Sequence, residues 1–292
     1  MKKKFEESEL IINSDGSIFH LHLNPEQLAD KVILVGDPGR VPTVASHFDE
    51  KECEIESREF RSVTGRYKGK RITVVSTGIG CDNIDIVLNE LDALANIDFN
   101  SREEKDQLRS LEIVRIGTCG GLQLHPPEGT FIASVKSIGF DGLLNFYAGR
   151  NEICDLDFEE AFLSSMQWKG SQCISHPYVV DADPSLIERI ARPDMVEGVT
   201  IACGGFFGPQ GRELRIPLAD PHQNSKIMSF RYGPYCITNF EMESSAVAGL
   251  SKLMGHKALT VCMVIANRVA GKANPNYKNS IDTLIRTVLE RI

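Results

Sequence analysis

An α/β sandwich around a central β-sheet is the fold class the sequence predicts, and three observations predict it. Short runs rich in β-branched residues alternate along the chain with segments of helical period, the order that lays helices over a sheet. Most of the runs lack polar alternation, as strands buried on both faces do. With 292 residues, 42% apolar and 25% charged, the chain can bury one large core, which sets aside disordered, collagen-like and disulfide-scaffold classes. No internal repeat, low-complexity block or Pro/Ser-rich linker divides it. Residues 1–292 are therefore read as one domain, with residues 1–18 as an N-terminal arm.

The first thirty residues are polar and broken at Asp15-Gly16, and Ser17 to Leu23 alternates enough to lie extended. Strands are expected at Val32–Val35, Ile72–Ser76, Ile113–Ile116, Phe131–Val135, Cys173–Val180, Val199–Cys203 and Leu259–Ala266. Helices are expected at Asp82–Asn96, Ser101–Ser110, Asp157–Trp168, Pro184–Ala191, Glu241–Met254 and Pro275–Ile292. The last of these carries Ile281, Leu284, Ile285, Val288 and Leu289 in the i, i+3, i+4, i+7, i+8 stripe of an amphipathic helix. The polar stretches 97–110 and 204–234 are long for a compact fold, so one is expected at the surface and the other at a functional site.

Thirty-two Lys and Arg against 40 Asp and Glu leave a net charge of −8. Nucleic acid and anionic membranes need clustered positive charge, so both are excluded as partners, whereas a small anion held by a few arginines is not. The eight cysteines form no CxxC pair and read as reduced, buried thiols rather than a zinc site. Met1-Lys2-Lys3-Lys4-Phe5 is followed by Glu6, Glu7 and Glu9 rather than an apolar segment, unlike a signal peptide. No apolar run approaches the roughly 18 residues of a membrane span. A cytoplasmic protein is expected.

Three glycine-containing turns follow expected strands: Gly36-Asp37-Pro38-Gly39-Arg40, Thr77-Gly78-Ile79-Gly80 and Gly117-Thr118-Cys119-Gly120-Gly121. Ligands in open α/β sheets sit beyond the strand ends, where glycine lets backbone N–H groups approach an anion. Each turn could equally be structural, and none is a dinucleotide or P-loop fingerprint. Arginines beside them favour an anion. Arg40 closes the first turn, and Arg115 ends a strand that reads as buried, where an unpaired guanidinium would be costly. Arg58 is a third candidate, with a surface ion pair to Glu59 as its alternative. Guanidinium groups, the Thr118 hydroxyl and glycine amides together suit a tetrahedral phosphate.

Asn239-Phe240-Glu241-Met242-Glu243-Ser244 puts two carboxylates at an expected helix start. Either they cap the helix, or one accepts from sugar hydroxyls while Met242 covers a ring. Phe206-Phe207-Gly208-Pro209-Gln210-Gly211-Arg212 is either a surface loop or a reader of a base, since Gln both donates and accepts as a pyrimidine edge requires.

In order and spacing, Gly36–Val41, Ser76–Gly80, Arg115–Gly120 and Phe240–Ser244 resemble the motifs of the nucleoside phosphorylase-I family, over nearly the whole chain from Phe19. The resemblance implies a three-layer α/β/α sandwich around a central mixed, partly barrel-like sheet. Gln210 and Arg212 are similar to the uracil clamp of the branch that acts on uridine, and Asn267-Arg268 stands where purine-specific members carry an Asp that protonates the purine.

By the same resemblance, Gly36, Arg40, Arg115 and Thr118 would bind phosphate, joined by Arg58 from a neighbouring subunit. Met242 and Glu243 would hold the ribose, with the neighbour's copy of His20 reaching the 5′-hydroxyl. Phe19 and Phe207 would line the pocket, and Gln210 and Arg212 would read the base. Arg115, Gln210 and Arg212 form the implied catalytic set. In some relatives the position of Glu59 helps hold an interface cation; no other cofactor is implied, phosphate being the co-substrate.

The implied reaction converts uridine and phosphate to uracil and ribose 1-phosphate in a homo-oligomer whose dimers share sites. A purine-specific enzyme, a nucleosidase or a silent nucleoside-binding protein are the alternatives. Gly39, Cys119, the N-terminal arm and the long 97–110 segment depart from the family pattern.

Overall fold

A computed structural model describes residues 3–168, 176–274 and 277–292. The elements run β1 (Lys31–Val35), α1 (Arg40–Ala45), β2 (Glu50–Ser57), β3 (Phe60–Tyr67), β4 (Lys70–Ser76), α2 (Cys81–Asn96), β5 (Ile97–Asp98), β6 (Glu103–Glu104), β7 (Glu112–Gly121) and β8 (Phe131–Gly139). They continue with α3 (Arg150–Ile153), α4 (Leu156–Met166), β9 (Tyr178–Asp181), α5 (Pro184–Ile190), β10 (Val196–Ala202), α6 (Gln223–Ser229), β11 (Arg231–Tyr232), β12 (Tyr235–Glu241), α7 (Ser244–Leu253), β13 (Lys257–Asn267), β14 (Lys272–Ala273) and α8 (Lys278–Arg291).

One mixed sheet dominates, in the order β11-β12-β10-β8-β13-β7-β1-β4-β3-β2. An additional β12–β7 pairing closes β7, β13, β8, β10 and β12 into a five-stranded ring, because Asn239 and Phe240 pair antiparallel with Gly121 and Gly120. The expected α/β architecture with a partly barrel-like sheet is the one observed.

Alternation inside β1 explains why it carries no polar face. Val32 and Leu34 pack into the cluster under α2 and α7, while Ile33 and Val35 pack into the opposite cluster with α1, α5 and α8. Both faces of the strand are dry, so its sequence is continuously apolar. The α8 stripe behaves as its spacing implies: Leu284, Ile285, Val288 and Leu289 are fully buried in the second cluster.

Several elements differ from expectation. Residues 101–110 form no helix; Glu103–Glu104 pairs with Ile97–Asp98 as a small hairpin, and Asn96 holds the following chain through Arg109. Ser17 to Leu23 is a turn rather than an extended segment, with His22 at φ 56° and Ile18, Leu21 and Leu23 buried beneath it. Gly117 to Gly121 is not a turn but the second half of β7. The expected α7 start at Glu241 moves to Ser244, since Glu241 still belongs to β12. Cys173 to Ser175 lie outside the described residues, and the expected strand there is observed from Tyr178. Strands β2 and β3 are not among the expected ones, because the consecutive charges Glu50-Lys51-Glu52 and Arg61 resemble a loop; β2 is the sheet edge, where such charge is expected.

Candidate active site

The ends of β1, β4, β7, β12 and β13 converge on a cavity of about 680 Å³. Its wall includes Gly36, Arg40, Glu59, Arg115, Thr118, Gln210, Arg212, Met242 and Glu243. One continuous strand, β7, runs beneath it. A β-carbon at Gly117 would lie 2.5 Å from Arg115 Nη1, whereas one at Gly120 would lie 3.9 Å from Arg212 Nη2. Three residues at about 3.3 Å each separate these two landmarks by roughly 10 Å, the scale of a nucleoside.

At the first landmark, Gly36 leaves β1 and the Asp37 carboxylate accepts from the Gly39 amide at 2.8 Å, turning the chain into α1. Arg40 opens that helix and donates to the Ile116 carbonyl at 3.2 Å. Burial lowers its pKa. Gly36 has no room to spare, since a β-carbon there would meet the Gly78 carbonyl oxygen at 3.3 Å.

Arg115 has the anionic partner its burial demands, and that partner is built in. Its Nη1 donates to Glu241 Oε2 at 3.1 Å, its Nη2 donates to Glu243, and its Nε has no partner among the described residues. Burial opposes the charge, but Glu243 and Glu241 raise the pKa above the ordinary arginine range.

The two carboxylates divide the roles considered for them. Glu241 caps α7, accepting from the Glu243 amide at 2.9 Å, the Ser244 amide at 3.0 Å and the Ser244 hydroxyl at 2.7 Å. Burial pushes its pKa up, against Arg115. Glu243 instead accepts from the Gly80 amide at 2.8 Å and from Arg115, which ties the second glycine turn to β12 while keeping the carboxylate on the cavity wall. Burial also raises the pKa of the Cys81, Cys119 and Cys203 thiols, leaving them neutral and poorly nucleophilic.

At the second landmark, Arg212 Nη1 donates to Gln210 Oε1 at 2.5 Å and to the Phe206 carbonyl at 2.6 Å, its guanidinium lying 3.7 Å from the Phe206 ring centroid. Arg268, given no role by the sequence reading, donates to the Gln210 carbonyl and approaches its amide oxygen at 3.5 Å. Burial and the neighbouring Arg212 hold the Arg268 pKa down to about 10. Its signal in the sequence was position alone, directly after Asn267 at the end of β13. Asn267 itself is spent on structure: its amide donates to the Gln123 and Pro126 carbonyls, and its oxygen accepts from the Val269 and Ala270 amides.

Four expected residues, Phe19, His20, Arg58 and Phe207, are absent from the cavity wall within one chain. Phe207 lines a neighbouring cavity of about 810 Å³ and Phe206 takes the expected place, the two rings meeting edge to face at 5.2 Å where the cavities adjoin. The His20 ring and the His20 and Leu21 amides are held by Glu90. Arg58 lies over the Phe19 ring at 5.3 Å rather than in an ion pair with Glu59. Glu59 does line the cavity, but among the described residues no group of three His, Cys, Asp or Glu is arranged for a metal ion.

Residues 30–291 match the model of the phosphorylase superfamily. A uridine phosphorylase of Thermococcus kodakarensis is 28% identical over 275 residues, covering 93% of this chain and 85% of that protein. A purine nucleoside phosphorylase of Bacillus velezensis is 25% identical, covering 86% and 89%. The crystal structure of a Trypanosoma brucei nucleoside phosphorylase, described as showing uridine phosphorylase activity, superposes with a TM-score of 0.86 at 28% identity, covering 97% of this chain and 98% of that one. With the glycine turns, the buried arginine and the closed five-stranded ring already in place, the match over almost the entire chain is decisive: this protein belongs to the phosphorylase superfamily.

Proposed function

We propose that the chain is a uridine phosphorylase, catalysing reversible phosphorolysis of uridine to uracil and ribose 1-phosphate. The observation that carries this reading is the Gln210 side chain, 3% exposed and fixed by Arg212 and Arg268. The Gln210 amide and the Arg212 guanidinium together match the alternating N–H and C=O edge of uracil.

The layout supplies what phosphorolysis requires. As the C1′–N1 bond lengthens, the ribose gains positive charge and the base negative charge. Phosphate near Arg40, Thr118 and the glycine amides would stabilise the first and attack C1′; Arg212 and Gln210 would stabilise the second. Such preorganised charge needs no covalent enzyme intermediate. Glu243, on the cavity wall, would accept from ribose hydroxyls, and Met242 would offer the ring an adaptable apolar face. Purine phosphorolysis fits less well, because Asn267 is locked in four hydrogen bonds and is a poor proton donor to a base.

A second copy completes the site in this reading. Among the lining residues, Asp37, Glu59, Glu241 and Glu243 oppose Arg40, Arg115 and Arg212, so one protomer alone is a poor host for a dianion. Arg58 and His20, which lie off their own cavity, are assigned to the neighbour's. Glu59 would contribute to any interface cation. Among the described residues no helix is long and apolar enough to cross a membrane, and seven described cysteines are free thiols, in keeping with the cytoplasm. Uracil release from uridine that requires phosphate tests the proposal; release without phosphate refutes it.

A further inference from the structure

We propose that Tyr277, at the entry to α8, is a phosphate-binding residue whose hydroxyl donates to the anion at the Arg40 end of the cavity. Three observations place it there. Tyr277 lines the same cavity as Gly36, Arg40 and Thr118. Its ring also packs against the apolar cluster beneath α8, which includes Ile281 and Ile285, so the side chain is anchored rather than free to swing. Finally, Tyr277 lies close enough to Arg40 to interact with its charge.

Charge balance gives this placement its meaning. Arg115 is shared between Glu241 and Glu243, and Glu59 faces the same space. A dianion entering here needs donors that bring no carboxylate with them. A neutral phenol is such a donor, able to give one O–H bond to a phosphate oxygen without adding a cation that the neighbouring Arg40 would repel. It would also tie α8, the last helix of the fold, to occupancy of the phosphate end.

The assignment rests on the phosphorolysis reading, and one variant separates the two. Tyr277→Phe keeps the packed ring and deletes only the hydroxyl. Since a hydrogen bond to a charged group is worth roughly a factor of ten or more in affinity, the phosphate KM should rise about tenfold while the uridine KM stays within about twofold. An unchanged phosphate KM overturns the proposal, and so does an equal rise in both KM values, which would indicate a general structural defect. If the unaltered protein releases no base at all, the functional reading has failed instead. Calorimetric titration with inorganic phosphate then decides for Tyr277: weaker binding by Tyr277→Phe supports it, and equal binding overturns it.

Discussion

Arg115 on β7 and Glu243 at the N-terminus of α7 form an ion pair in which both side chains are 5% exposed. The pair joins β7 to the start of α7 across the cavity wall. Removing the cation would strand two buried carboxylates, a change that typically costs about 3–5 kcal/mol. Arg115→Met is therefore expected to lose both activity and stability, the second read from urea denaturation. Arg115→Lys keeps the charge but loses the fork that spans Glu241 and Glu243, so its stability should be intermediate.

Gly117 is predicted to be intolerant of alanine. A β-carbon there would stand 2.5 Å from Arg115 Nη1 and 3.0 Å from Cys262 Sγ, so the guanidinium would have to move. Gly117→Ala should lower kcat/KM by at least tenfold, whereas alanine at Gly208, where a β-carbon meets nothing within 4 Å, should leave the rate nearly unchanged.

In the proposed reaction, Arg212 would supply a fixed charge where the leaving base becomes negative. Loss of one such preorganised donor costs about 10²–10³ in rate, so Arg212→Ala should lose that much kcat/KM for uridine while its melting temperature changes little. Near-normal turnover would remove Arg212 from the mechanism.

A pH effect on stability is expected at Glu112, which accepts from Lys31 Nζ at 2.6 Å and Arg189 Nη2 at 2.9 Å. Burial works against its ionisation, but the two cations hold its pKa down to about 2 from the ordinary 4.5. A depressed carboxylate pKa stabilises the folded state above the unfolded value, and the effect disappears as pH falls through the folded one. The stability gap between the unaltered protein and Glu112→Gln should thus be constant near neutrality and shrink between about 4.5 and about 2. A gap that grows on acidification would contradict this.

Most inner strands and α8 were legible because burial on two faces, or on one helical stripe, leaves a periodic apolar record; β12 was not, since its Glu241 and the following Glu243 read as a helix start. The edge strand β2 and its neighbour β3 were not, since their Lys, Glu and Arg side chains read as loop, and only the pairing of β3 with β4 and of β2 with β3 reveals them. At the site, Arg115 could be singled out from the cost of burying a charge, yet its carboxylate partners lie 126 and 128 residues away and depend on the closed ring. Arg268 and Tyr277 stood in no motif. Phe206 and Phe207 were indistinguishable as neighbours in sequence, because which ring faces the cavity is set by the turn they enter.

The central claim is that the cavity cleaves uridine with phosphate, and a substrate panel tests it most directly. Uridine, thymidine, inosine and adenosine would each be incubated with and without phosphate, and free base measured. Uracil is expected from uridine only when phosphate is present, with inosine and adenosine far poorer. Base release without phosphate, or a preference for the purine nucleosides, would contradict it.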